Sequence, residues 1–177
     1  PVNSWFFLNF KEVFKYRDLI YLFVKRDFVV FYKQTVLGPL WYIIQPLFNT
    51  LVFTFIFGTV AEIPTDGLPP FLFYLAGTVI WGYFANSFSQ TSQVFVGNAQ
   101  IFGKVYFPRI TVPIAITISG LIQFLVQFSI FLFFFIYYKL DGLEIYFSLK
   151  IAYLPIILLQ VAILSIGFGI LVSAATA

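Results

Sequence analysis

The sequence predicts an all-α polytopic membrane protein: N-terminal amphipathic interfacial helices, then four transmembrane helices. Three observations carry this. Runs 34–61, 67–103, 110–138 and 151–177 contain no formal charge, and each exceeds the about 20 residues a helix needs to cross a hydrocarbon core of roughly 30 Å. Hydrophobic residues make up 61% and charged residues 10% of the chain, against about a quarter charged in soluble domains. Basic residues also gather at alternate ends of the runs. Residues 1–33 carry Lys11, Lys15, Arg17, Lys25, Arg26 and Lys33 against three acids, and segment 97–109 carries Lys104 and Arg109 with no acid. Segment 61–70 carries only Glu62 and Asp66, and 139–150 is balanced. The positive-inside bias places the N-terminus and 97–109 in the cytoplasm.

Residues 1–33 form the interfacial part. Phe6, Phe10, Val13 and Phe14 make an apolar stripe at helical spacing, and Lys11, Lys15, Asp18 and Lys25 lie on a polar one. Asp18 can cap a second helix whose apolar side carries Phe23, Val24, Phe28 and Phe31. Such a basic amphipathic helix lies in the membrane interface. The transmembrane domain is 34–177. Its first span, about 37–60, admits Pro39 in the first turn and should kink at the deeper Pro46. Glu62-Ile63-Pro64-Thr65-Asp66-Gly67 reads as an external turn, and Pro69-Pro70 starts a span over about 71–96, which Gly97-Asn98 breaks. Loop 97–109 precedes a span over about 110–138 with Pro113 in its first turn. A last span covers about 150–176, with Pro155 near its start. Pro1 in place of Met and the uncharged close at Ser173-Ala174-Ala175-Thr176-Ala177 read as a piece of a longer protein.

The chemistry is bounded by absences. There is no Cys and no His, which removes thiol nucleophiles, thiolate metal sites and the commonest general base. The four runs hold no carboxylate, Lys or Arg, whereas proton- and sodium-coupled transporters place ionisable groups there. The small positive balance reflects the membrane bias and calls for no nucleic acid. Polar residues within the spans are neutral. Gln45 and Asn49 lie four apart; Asn86, Ser89, Gln90 and Gln93 share a face, as do Gln123 and Gln127. These amides fit either sugar hydroxyls or bonds between helices, each worth about 1 kcal/mol.

Phe73, Trp81, Phe84 and Phe88, and Phe124, Phe128 and Phe131, form aromatic stripes that suit sugar faces or simple packing. Trp41, Tyr42, Tyr137 and Tyr138 suit the interfacial belt. Ser165, Gly169, Ser173 and Ala177 repeat every four residues, a small-residue stripe for close helix packing. Gly97-Asn98-Ala99-Gln100-Ile101-Phe102-Gly103-Lys104 mimics a phosphate loop. It has five residues between its glycines where that motif has four, and Val105 follows the Lys where Ser or Thr should bind magnesium.

Two segments carry a family resemblance. Arg26, Tyr32-Lys33-Gln34-Thr35, Leu37-Gly38, Trp41 and Pro46 resemble the entrance of ABC transporter type-2 permeases of the polysaccharide, O-antigen, capsule and teichoic-acid export family. Lys104, Phe107-Pro108-Arg109 and Pro113 resemble that family's segment between spans two and three. The resemblance implies a permease subunit, not itself an enzyme, that moves lipid-linked polysaccharide across the bacterial inner membrane as a homodimer. ATP and Mg would belong to a separate ABC ATPase subunit, with no cofactor in this chain. It further implies a coupling helix within 98–106, with Asn98, Gln100, Phe102, Lys104, Tyr106 and Arg109 facing the ATPase. Arg26, Tyr32 and Lys33 would stand near the cytoplasmic entrance, and spans five and six would be missing. Candidate path residues are Gln45, Asn49, Trp81, Asn86, Gln90, Gln93, Gln123 and Gln127. The alternatives are export of a lipid or drug by the same architecture, or a membrane-embedded glycosyl- or acyltransferase.

Overall fold

The structure, a computed structural model, describes residues 10–34, 40–102, 106–142 and 149–176. These form α1 (Phe10–Lys15), α2 (Arg17–Gln34), α3 (Trp41–Phe53), α4 (Pro70–Ser92), two single turns α5 (Val94–Gly97) and α6 (Ala99–Phe102), α7 (Thr111–Leu140) and α8 (Leu154–Thr176). A π-helical stretch, Thr54–Val60, continues α3, and a 3₁₀ turn, Leu149–Tyr153, leads into α8. No strand occurs among the described residues. Four segments are long and apolar enough to span a bilayer: Trp41–Val60, Pro70–Ser92, Thr111–Leu140 and Ile151–Thr176. The all-α polytopic fold is therefore the one that the uncharged runs predict.

Proline sets the helix starts. Pro70, Pro113 and Pro155 each lie in a first turn, where a missing N–H leaves no intrahelical bond unmade. Pro46 lies inside α3 without ending it. The Thr50 hydroxyl donates to the Pro46 carbonyl at 2.7 Å and lies 3.1 Å from the Thr78 hydroxyl, tying the proline turn to α4. The irregularity comes later, in the π-helical stretch, where the Ala61 N–H reaches the Ile56 carbonyl. This widened segment lays Gly58 on the start of α4: a Cβ there would stand 3.0 Å from the Pro70 Cβ.

Helix α4 is the centre of the bundle. Leu75, Val79 and Tyr83 on α4 form one buried cluster with Phe124 of α7. Gly120 of α7 lies under Ser87 and Tyr83. Thr91 is buried against Gly169 of α8, and Ser165 and Ser173 are wholly buried on the same stripe. The small-residue repeat thus packs as its spacing predicts; Ala177 lies outside the described residues. Phe71 at the start of α4 meets Phe134 near the end of α7 edge-on, so α7 runs antiparallel to α4. Thr91 and Phe95, at and just beyond the end of α4, meet Gly169 and Ser173 near the end of α8, so α8 runs parallel to it.

The helical path breaks twice after α4, at Gln93 and at Asn98, where the sequence suggested a single break at 97–98. Both residues have bridge-region backbone, φ −107° at Gln93 and −115° at Asn98. A partner on α8 accommodates the earlier break: the Phe95 N–H, at the start of a new turn, donates to the Ser173 hydroxyl at 3.0 Å. Asn98 accommodates the second, its side-chain amide donating to the Val94 carbonyl at 3.0 Å.

Helix α2 docks on α7. Phe23 is buried with Val94, Phe107, Val112, Ala115 and Ile116, and Tyr16, Leu19, Ile20 and Val24 close around them. Further along α2, Asp27 faces Ser119. Contacts that advance together on both helices mean that α2 follows the first turns of α7. The inward face is therefore rotated from the expected one. Asp27 occupies it four residues after Phe23, while Phe28 is exposed; the side chain of Phe31 lies outside the described residues.

Candidate functional site

A polar groove separates α3 from α4 and α7. Gln45 and Asn49 line it from α3, Thr78, Trp81 and Asn86 from α4, and Gln127 from α7, around a cavity of about 450 Å³. Spacing explains the convergence, since residues four apart on a helix share a face. Gly82 also borders the groove, where a Cβ would meet only the Gln127 Oε1, at 3.5 Å. A second cavity of about 260 Å³ adjoins the first through shared Asn86 and Gln123, and adds Gln90, Tyr42, Ser119 and Asp27. A chain of carboxamides crosses the junction. Gln90 Nε2 donates to Asn86 Oδ1 at 2.8 Å, and Asn86 Nδ2 donates to Gln123 Oε1 at 2.7 Å.

Seven of the eight residues singled out as a path therefore gather in one place: Gln45, Asn49, Trp81, Asn86, Gln90, Gln123 and Gln127. Gln93 does not line these cavities; it is exposed at the break that ends α4. Each amide carries both donors and acceptors, so the wall can bond hydroxyls of either sense without moving a charge. The two aromatic stripes differ. Phe124 is core, 1% exposed and packed on Tyr83. Trp81 is 64% exposed and borders the groove. The rings of Phe84 and Phe88 stack on each other.

Sequence reasoning missed Asp27, Ser119, Tyr42 and Thr78. Tyr42 was assigned to the interfacial belt, yet it lines the smaller cavity. The signal for Asp27 was its spacing: it follows Phe23 by four residues on a helix where Arg17, Asp18, Lys25 and Arg26 are exposed.

The residues expected to face an ATPase divide by side-chain type. Phe102, with Phe95 and Phe107, turns inward onto the Phe23 cluster, at ring separations of 6.0, 5.5 and 6.0 Å along the series Phe95, Phe102, Phe107 and Phe23. Gln100 and Arg109 are exposed, and Tyr106 is 91% exposed. Helix in this segment is limited, among the described residues, to the turns before Gly97 and Phe102. Lys104 lies outside the described residues, as do the side chains of Tyr32 and Lys33. Arg26 is exposed at the α2 surface, its guanidinium 4.9 Å above the Phe23 ring and 2.8 Å from Asp27.

A family model described as ABC-2 type transporter matches residues 18–177. The chain is 30% identical over 157 residues to the O-antigen export system permease protein RfbA of Klebsiella pneumoniae, covering 88% of this chain and 58% of that protein. A second Klebsiella pneumoniae protein of the same name is 29% identical over the same length. Its namesake in Myxococcus xanthus is 25% identical over 122 residues, 69% of this chain and 46% of that protein. The chain thus spans at most 58% of the length of these curated relatives.

Proposed function

The chain belongs to the ABC-2 type transporter family, and from that premise we propose that it is the membrane permease part of an ATP-driven exporter of lipid-linked polysaccharide. The export function is carried across from the O-antigen export permeases it resembles. The observation that supports it best is the groove: six neutral amide and indole side chains converge around about 450 Å³ within membrane-spanning helices. Amide walls exchange hydrogen bonds with successive sugar hydroxyls at little net cost, because each bond broken is replaced by another.

In this reading the basic end faces the cytoplasm of a bacterium, the inner membrane surrounds the four spans, and a second copy completes the pathway. A separate ABC ATPase docks on the exposed side of 94–109, meeting Gln100, Tyr106 and Arg109. Its movement passes inward through Phe102 and Phe107 to Phe23, and so to α2, which also borders the smaller cavity at Asp27. Energy enters from outside the chain because the spans contain no group to couple an ion gradient. The apolar cavity of about 520 Å³ beside Trp81, lined by Phe53, Leu72 and Phe131, favours a second reading in which the cargo is a lipid alone.

The test uses the full-length protein. Cells lacking the gene should lose surface polysaccharide and accumulate lipid-linked polymer inside, and the ATPase should co-purify with the restored permease. As residues 1–177 contain no Cys, Lys104→Cys offers a single crosslinking position among them, expected to trap the ATPase. Phe23→Ala should leave ATPase binding intact while uncoupling hydrolysis from export. Normal surface polysaccharide in the deletion strain with altered lipid export would favour the second reading, and no ATPase at position 104 would refute the coupling assignment.

A further inference from the structure

The smaller cavity differs from the rest of the groove in holding a carboxylate. The Asp27 side chain is 23% exposed, and its Oδ1 accepts from both Nε and Nη2 of Arg26, at 3.0 and 2.8 Å. The same guanidinium lies over the Phe23 ring, and Arg26 is not among the residues that line the cavity. Oδ2 faces α7, where the Ser119 hydroxyl donates across a long 3.5 Å. A carboxylate oxygen accepts more than one hydrogen bond, so Oδ2 retains acceptor capacity. Across the cavity, Asn86 and Gln90 each use one amide hydrogen on a neighbouring amide and keep the other. At about 260 Å³ the space is smaller than the ~300 Å³ lower bound of drug-sized sites. It suits one ring, and it shares Asn86 and Gln123 with the larger cavity.

We propose that this cavity is a subsite for a single neutral sugar ring, in which Asp27 accepts from hydroxyls and excludes anionic units such as uronates or phosphate. The proposal rests on the export reading for its place in transport, but the binding chemistry stands on the cavity. Acceptors on Asp27 opposite donors on Asn86 and Gln90 match the two-sided bonding of a polyol. An anion would instead meet the Asp27 carboxylate directly, because Arg26, although paired with Oδ1, does not line the cavity. A hydrocarbon chain would leave the cavity's polar groups unpaired, and the apolar space beside Trp81 lies elsewhere.

The experiment uses the full-length permease with its ATPase in lipid nanodiscs and reads ligand contact by saturation-transfer NMR. The probes are methyl glycosides of neutral hexoses and 6-deoxyhexoses, methyl glucuronide and inorganic phosphate. At least one neutral glycoside should bind, at least 30-fold more tightly than the glucuronide or phosphate. Asp27→Ala should weaken it at least tenfold and Ser119→Ala about threefold, while Asp27→Asn should admit the glucuronide. Gln90→Ala, on an exposed side chain, serves as a second probe of the same wall and should weaken binding about threefold if α2 variants fail to fold. Absence of neutral glycoside binding, equal binding of the glucuronide, or affinity unchanged by both Asp27→Ala and Gln90→Ala overturns the proposal. Asp27-dependent binding in a protein that exports no polymer would refute the export reading and leave the subsite standing. Polymer export with Asp27-independent binding would do the reverse.

Discussion

Helix α4 has two faces of opposite construction. On one, Tyr83, Ser87 and Thr91 press against α7 and α8 so closely that the opposing glycines have no room for a methyl group: a Cβ on Gly169 would stand 2.6 Å from the Thr91 Cβ. On the other, Thr78, Trp81, Gly82 and Asn86 line a cavity of about 450 Å³ shared with α3 and α7, bridged by the hydrogen bonds of Thr78 with Thr50 and of Asn86 with Gln123. In a bilayer the gain from helix association comes from packing and interhelical hydrogen bonds, since lipid is as apolar as the helices. The close face therefore holds the bundle together, which frees the other face to keep an open polar space. In the proposed reading, stability and transport are divided between two sides of one helix.

The sharpest way to break this comparison is to place the same methyl group on each face. Gly169→Ala should cost about 3 kcal/mol, because the Thr91 backbone as well as its side chain must move; thermal unfolding in detergent reads it, and near-neutral behaviour would show that the seam is loose. Gly120→Ala should cost less, about 1 kcal/mol, since the Ser87 hydroxyl at 2.8 Å can rotate away and only the Tyr83 ring, at 3.2 Å, must yield. Asn86→Leu and Gln123→Leu each remove an interhelical bond worth about 0.6 kcal/mol, a small change in melting temperature. Surface polysaccharide should nevertheless fall on the order of tenfold, the scale of a 1.4 kcal/mol effect, and a drop in proportion to stability alone would make these amides structural. Gly82→Ala should be neutral or stabilising by up to ~1 kcal/mol, as alanine favours helix over glycine and the new methyl meets only Gln127 Oε1 at 3.5 Å.

The sequence disclosed these two faces unequally. The seam was legible because its rule is local: small residues four apart on α8 predict contact whatever the partner. Most of the groove was legible for the same reason, since Asn86/Gln90 and Gln123/Gln127 share faces by spacing alone. What spacing could not supply was which faces meet. Asp27 enters the smaller cavity only because Phe23 docks on Phe107 and Val112, contacts more than eighty residues distant along the chain. The break at Gln93 was hidden for a related reason. Nothing near Gln93 demands a break, and the N–H that follows it is satisfied by Ser173 on α8. Gln93 consequently looked like one more member of a polar face that had already ended.

The π-helical stretch Thr54–Val60 bears on how this chain aligns with its relatives. An extra residue in an α-helix turns everything beyond it by about 100°, whereas a wider turn absorbs that residue and leaves both flanks in register. Here the preceding flank carries Gln45 and Asn49 on the groove side, and the following one is Pro70, on which Gly58 of the stretch itself is seated. A relative one residue shorter between 54 and 60 can thus keep both the groove and the Pro70 contact, so a single-residue gap there marks a change of winding and not a change of path.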